Sequence, residues 1–207
     1  TYSVAARDGR EHEVEVYFEA SPRWALDQPY QQSASKGYEA DGLLYLKSGS
    51  KEQNILAKQG DDLRIDWGYF YMVAGKENTA YSVGNSTELR KNFVNGTLNS
   101  ASLEGEDSNG NMALVRSHGK VKNVTDKIML GYDDIYSIQY FGTNLRPYWN
   151  SKGDRTIEAE MLAAYNEYDK LLARCYAFDK KLMEDASAAG GKEYAELCAL
   201  AYRQSIA

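Results

Sequence analysis

Several things are scarce in this 207-residue chain, and each scarcity excludes something. It has two cysteines, Cys175 and Cys198, too few for a disulfide framework, so a hydrophobic core must hold the fold together. A bridge between two packed helices stays open beside the commoner reading of such cysteines as small buried hydrophobes. Its two histidines, His12 and His118, stand far apart, and no Cys/His or His/carboxylate spacing reads as zinc ligation. There is no glycine-rich phosphate loop. No cluster of Lys and Arg offsets a net charge of −6 and a pI of about 5.1, which argues against nucleic acid as a partner. The longest apolar runs are a few residues, far short of a membrane span. The expectation is therefore no metal, no cofactor, no nucleic-acid partner and no membrane-spanning helix.

Phenylalanine is scarce too, with five residues against seventeen tyrosines. Tyrosine buries a ring while its hydroxyl stays hydrogen-bonded, so this bias points to wet, extended contact surfaces. Three sequons, at Asn85, Asn95 and Asn123, matter only for a secreting eukaryote.

Hydrophobic residues make up 43% of the chain, enough for a real core in one or two domains. Residues 12–19 alternate, with Val14, Val16 and Phe18 facing one way and Glu13, Glu15, Tyr17 and Glu19 the other. That is the pattern of a half-buried strand. Residues 43–47, 53–58, 66–74, 112–120 and 128–132 are further strand candidates. Turn clusters at 7–9, 59–62 and 104–111 separate them. Short strands at such spacing predict an antiparallel β-sandwich over residues 1–150. Residues 86–93 predict a short helix capped by Ser86 or Thr87.

Beyond residue 154 the period changes. Ile157, Met161, Ala164, Tyr168, Leu171, Cys175, Phe178 and Leu182 recur every three or four residues and share one helical face. Gly190-Gly191 predicts a left-handed helix exit. A second helix should begin near Lys192, with Tyr194, Leu197, Cys198, Ala201, Tyr202 and Ser205 on its inner face. No stop signal closes that second helix, and the chain opens on Thr1 rather than Met. The expected organisation is a sandwich over 1–150 and a helical hairpin over 151–207. Sequence outside these limits would be needed to complete the helical part.

Chemistry is densest where the two parts meet, from Ile128 to Trp149. Asp133 and Asp134 are adjacent carboxylates, and on a strand they would point to opposite faces. A buried carboxylate with a raised pKa can serve as general base or acid in amide hydrolysis. The competing reading has one Asp ordering a turn and the other solvated. Arg146 stands before Pro147 in an extended segment, able to clamp a carboxylate bidentately or to tie the junction to an aspartate. Tyr132 and Trp149 are candidates to line a site or to pack. Two Ser-x-x-Lys matches, at Ser33–Lys36 and Ser48–Lys51, sit in polar stretches that read as loops and are taken as coincidence. Residues 107–111 resemble part of a calcium loop but lack its closing Glu.

The run YDDIYSIQYFGTNLRPYW, 132–149, strongly resembles the glutaminase A family. So does GGKEYAELCALAYRQ, 190–204. Asp66-Trp-Gly-Tyr69 and Ser86-Thr-Glu-Leu-Arg90 are similar over shorter stretches. The resemblance implies a β-rich region followed by a six-helical-hairpin domain, an (α/α)-barrel of which this chain would hold the opening hairpin. It implies hydrolysis of L-glutamine to L-glutamate and ammonia, outside the cytoplasm, in the extracellular space or the periplasm. On that reading this fragment is inactive alone, because most of the helical domain lies elsewhere, and its partner is the remainder of that domain. A second reading makes the β part a carbohydrate-binding or accessory module of a glycosidase-like barrel, with Trp24, Trp67 and exposed tyrosines as sugar platforms. A third makes it a structural interdomain module.

Overall fold

The computed structural model describes residues 1–98 and 110–205. Of the turn cluster expected over 104–111 and the calcium-loop-like stretch over 107–111, residues 104–109 lie outside the described residues, and Asn111 begins a strand. The strands are β1 (Tyr2–Ala5), β2 (His12–Ala20), β3 (Ser33–Ala40), β4 (Leu43–Ser50), β5 (Tyr69–Gly75), β6 (Thr79–Gly84), β7 (Asn111–Val121), β8 (Asn123–Asp126), β9 (Met129–Asp133), β10 (Ile138–Tyr140) and β11 (Thr143–Leu145). Helix α1 (Ser86–Val94) follows β6, and a long helical segment, α2 (Ile157–Ser205), ends the chain.

All described pairings are antiparallel. One sheet runs β2-β7-β6, a second runs β3-β4-β5-β9, and β1-β8 and β10-β11 form two-stranded ribbons. Leu46, Phe70, Met72 and Ala74 from the second sheet cluster with Ala20, Val83, Met112 and Leu114 from the first. The two sheets thus bury one shared face, as expected of an antiparallel sandwich. The fold is mainly β, with helix at the C-terminal end.

Strand β4 shows why alternation was only a partial guide. Leu43, Leu44, Tyr45 and Leu46 are all buried, so both faces of this strand are covered. Its inner face meets the other sheet. Its outer face lies under the first turns of α2, where the Tyr38 hydroxyl donates to Glu158 Oε1 (2.7 Å) and the Tyr45 hydroxyl to the Glu158 carbonyl (3.3 Å). Gly131, on β9, leaves room for the Met161 side chain, which a Cβ at that position would strike.

Several expectations are corrected. Residues 53–58 form turns, not a strand, because Gln53 and Leu56 both adopt left-handed backbone angles (φ 47° and 52°) that no ladder accommodates. The Gln53 side chain instead bridges to Gly68, accepting from its N–H (2.8 Å) and donating to its carbonyl (3.1 Å). The strand expected from residue 66 begins at Tyr69, because Gly68 turns the chain at φ 76°. Asn85, not Ser86 or Thr87, caps α1, its Oδ1 accepting from the Thr87 N–H (2.9 Å). Both Ser-x-x-Lys matches begin in strands rather than loops. Ser33 and Ser48 are buried in β3 and β4, and Ser35 donates to Ser48 across the pair (2.8 Å). Strands β1, β3, β6, β8, β10 and β11 carry too few alternating apolar residues to stand out from the sequence.

One polar knot holds α1 to the first sheet. Glu19, on β2, accepts hydrogen bonds from Arg90 Nε (2.8 Å), from the Tyr17 hydroxyl (3.0 Å) and from Asn111 Nδ2. Burial alone would raise its pKa. Hydrogen bonds from Ser86, Arg90, Asn111 and Tyr17 outweigh burial and bring it down from 4.5 to about 2. A depressed folded-state pKa adds stability that is complete above the unfolded value and lost as pH falls through the folded one. Urea denaturation should therefore show a Glu19-dependent fall in stability between pH 4.5 and about 2, and Glu19→Gln should flatten that segment of the profile. An unchanged profile in the variant would show that the knot contributes nothing.

A second knot anchors the loop before β5. Lys58 Nζ lies 2.7 Å from Asp66 Oδ2 and 3.2 Å from Asp27 Oδ2, and Gln31 Nε2 also donates to Asp66 Oδ2 (2.8 Å). Both carboxylates are buried, which demands such partners.

The described chain divides into two compact units, Thr1–Leu162 and Ala163–Ala207. In the second unit the helix breaks at Gly191, with φ 82° and ψ −175°. This corrects the expected left-handed α exit. It is an extended positive-φ conformation open in practice only to glycine. The Phe178 and Tyr202 rings lie 4.9 Å apart across the break, so the arms fold back as a hairpin. Among the described residues of this unit the buried ones are Ala186 and Ala195, small side chains that let helices approach closely. Tyr194, Leu197 and Tyr202, expected on the inner face, are largely exposed. Cys175 is exposed and Cys198 half-buried, and both are free thiols.

Candidate functional site

Strand β9 carries the junction residues, and its pairing with β5 decides where they point. Tyr132 pairs with Phe70 and Asp133 with Tyr69. Adjacent strand residues face opposite ways, so Tyr132 and Asp133 do not share a site. Tyr132 packs against the core, and its hydroxyl donates to the Trp67 carbonyl (2.5 Å). Burial, then the nearby carboxylates, push its phenol up to about 12.

Asp133 ends the strand. Its Oδ1 accepts the Ile135 N–H (3.0 Å), ordering a turn in which Ile135 takes a φ of 60°. Asp134 Oδ2 accepts from the Ser137 hydroxyl (2.6 Å). The Tyr136 N–H closes onto the Asp134 carbonyl (2.5 Å), and the Ser137 N–H donates to the Leu145 carbonyl (2.9 Å). These bonds set residues 134–137 beside the β10-β11 ribbon. Trp67 braces the same turn, its indole Nε1 donating to the Tyr136 carbonyl (2.9 Å). That role occupies the polar edge of Trp67 in the fold.

Arg146 is exposed, and its guanidinium lies 5.1 Å from the centre of the Tyr136 ring. Among the described residues its neighbour is that ring rather than Asp133 or Asp134. Gly153 passes beneath it, where a Cβ would approach Arg146 Nε to 3.0 Å. Trp149 is half-buried in the short turn Tyr148–Asn150. Asn150 then closes the lead into α2, accepting from the Arg155 N–H and donating to its carbonyl, both at 3.0 Å. The junction thus gathers Asp134, Tyr136, Ser137 and Arg146 into one loop cluster, with Tyr132 on the inner side of the sheet and Asp133 on the outer.

On that outer face, register assembles a group the sequence did not reveal. Lys36 pairs with Lys47, Lys47 with Tyr71, and Tyr38 with Tyr45. The Lys47 ammonium lies 3.6 Å from the centre of the Tyr69 ring and 5.6 Å from that of Tyr71. Burial, then the positive charge of Lys36, lower its pKa, while Glu158 and Asp133 pull the other way. Burial likewise raises Tyr38, Tyr45 and Tyr71, with the charge of Glu158 adding to each. An amine held this way can surrender a proton more readily than a free lysine. These residues are scattered over five sequence segments, and cross-strand register unites all but Glu158, which the start of α2 brings in.

Among the described residues no three His, Cys, Asp or Glu side chains gather as metal ligands would. No described helix is long and apolar enough to cross a membrane.

Glutaminase A of Aspergillus oryzae (strain ATCC 42149 / RIB 40) is 26% identical to this chain over 221 residues. The match takes in 99% of this chain and 31% of that protein, so the chain spans about a third of its curated relative. A family model covers residues 1–185, which takes in both sheets, the junction and most of the first helical arm. The chain belongs to that family, described as a domain of unknown function, DUF5127.

Proposed function

We propose that this chain is the β-rich part and opening helical hairpin of a glutaminase A–like protein, one that hydrolyses L-glutamine to L-glutamate and ammonia outside the cytoplasm, in the extracellular space or periplasm. The observation that carries this reading is the match to glutaminase A along 99% of the chain. In it, residues 1–150 form a sandwich domain and residues 151–207 begin a six-hairpin (α/α)-barrel. The sandwich braces the barrel and walls one side of its cleft. The partner surface is the remainder of the helical domain.

Exposed apolar side chains support that role. The β10-β11 ribbon and the turn after it present Ile138, Tyr140, Phe141 (91% exposed) and Tyr148 (96% exposed) to water. In the hairpin, Leu171, Tyr176, Leu197 and Leu200 are similarly bare. On the ribbon the Tyr140 and Phe141 rings touch, 4.5 Å between centres, and exposed apolar side chains grouped in this way mark an interaction site.

The loop cluster supplies the chemistry this reading asks for. Asp134 takes the general-base role, activating the group that attacks the side-chain amide. Arg146, free of carboxylate partners among the described residues, holds the substrate carboxylate. Tyr132 and Asp133, on opposite faces of β9, lie outside this loop cluster, and Trp149 packs in the turn that follows it. Asp134→Asn in the whole protein should cut ammonia release from glutamine by roughly a hundredfold or more while folding is kept. Undiminished release would remove Asp134 from the site. The fragment alone should release none, and no release by the whole wild-type protein would end the glutaminase reading.

A further inference from the structure

We propose that the groove beside Trp24 binds an acidic saccharide, a pyranose-based ligand carrying carboxylates, independently of any glutamine chemistry.

The groove is built on the short turn Pro22–Ala25. Ser21 caps that turn, its hydroxyl accepting the Arg23 N–H (3.3 Å), and Pro22 presets its first backbone angle. Pro22, Ala25 and Leu26 are buried, and Trp24 alone of these four points outward, 70% exposed. Its ring lies nearly parallel to Phe70 beneath it, at 18° and 5.9 Å between centres. One indole face is therefore held by the core while the other is offered flat to solvent. A large aromatic ring kept exposed and backed in this way is a stacking platform.

Arg23, Leu26, Arg64, Ile65 and Tyr132 complete a groove of about 520 Å³ around it. Arg23, Leu26 and Arg64 also border a smaller adjoining cavity of about 190 Å³. Two arginines thus border one space. Among the described residues neither makes an ion pair, in a chain whose net charge is −6. Asp27 lines the smaller cavity, but its carboxylate is engaged by Lys58. The loop that carries Arg64 is anchored by the Lys58 knot and by its own backbone hydrogen bond to Asp27. Both basic groups therefore extend from fixed backbone.

The chemistry follows from the combination. Paired guanidiniums select carboxylates and hold them bidentately. A flat indole open on one side suits the C–H face of a sugar ring, which stacks on one face and leaves the other wet. A compact aromatic acid would need enclosure over most of its surface, which an open groove does not supply. Ring face plus carboxylate describes a uronic acid unit.

Calorimetric titration of the protein with trigalacturonic acid and with a glucuronate-containing hyaluronan hexasaccharide tests this. At least one should bind. Its methyl-esterified, uncharged form should bind at least about tenfold more weakly. Trp24→Ala should weaken binding by at least about tenfold, and so should Arg23→Gln combined with Arg64→Gln. All three side chains are exposed, so circular dichroism and thermal midpoints should stay at wild-type values. Absence of binding by both acidic probes would overturn the proposal. So would equal binding of the esterified form, or binding indifferent to Trp24→Ala in a folded variant.

Discussion

Gly68→Val is expected to destabilise the protein by about 3 kcal/mol or more, the sum of a strained backbone and a collision with main chain. Gly68 has φ 76°, where a β-branched residue is strongly disfavoured. A Cβ there would also fall on the Asp133 carbonyl and approach the Asp134 Cα to 2.8 Å. Neither can move cheaply. Asp133 is paired with Tyr69 in the β5-β9 ladder, and Asp134 is fixed by its bonds to Tyr136 and Ser137. The Gln53 bridge holds Gly68 from the other side. Urea denaturation measures the effect as a lowered midpoint at unchanged slope. Gly68→Ala should fall between wild type and valine, because it keeps the collision but lacks the branch. A valine variant of wild-type stability would mean the turn does not depend on close approach at this point. The turn carries both candidate aspartates, so on the proposed glutaminase reading ammonia release by the whole protein should fall with it.

Leu114→Ala and Met72→Ala should each cost about 3 kcal/mol. Both side chains are wholly buried, Leu114 on β7 of the first sheet and Met72 on β5 of the second. They belong to one core cluster, so the double variant should differ from the sum by at least about 0.5 kcal/mol. Strict additivity would argue that the sheets do not share a core. Leu130→Ala is the internal contrast. Leu130 lies on β9 of the second sheet but is 51% exposed, so its loss should stay within roughly 0.5 kcal/mol.

How much was legible varied from element to element, for physical reasons. Strand β2 was readable because apolar and polar residues alternate strictly along it, the period of a strand. Strand β7 was readable from its run of apolar residues, Met112 to Val115. The helical period after Ile157 was readable over many turns. Strand β3, SASKGYEA, was not, because its stability comes from pairing and from a buried serine contact rather than from apolar side chains. The 53–58 segment misled because its composition resembles a strand while its side chains serve to bind Gly68, through Gln53, and to neutralise two buried aspartates, through Lys58. At the junction, the sequence marked Asp133, Asp134, Arg146, Trp149 and Tyr132 as one stretch. The pleat then separated Tyr132 from Asp133, and the Tyr136 ring took up Arg146.

The order of residues by itself determined the class of molecule: a mainly β chain turning helical near residue 157, acidic, with a junction motif that resembles glutaminase A. These depend on local periodicity and on contiguous motifs, which need no folding to be read. Tertiary structure alone decided which residues meet. It set Lys47 among tyrosines from a neighbouring strand, joined Lys58 to Asp27 and Asp66, and brought Arg64 to the groove of Arg23 and the exposed Trp24. Cross-strand register and loop closure act between residues tens of positions apart, and no local pattern encodes the partner at that distance.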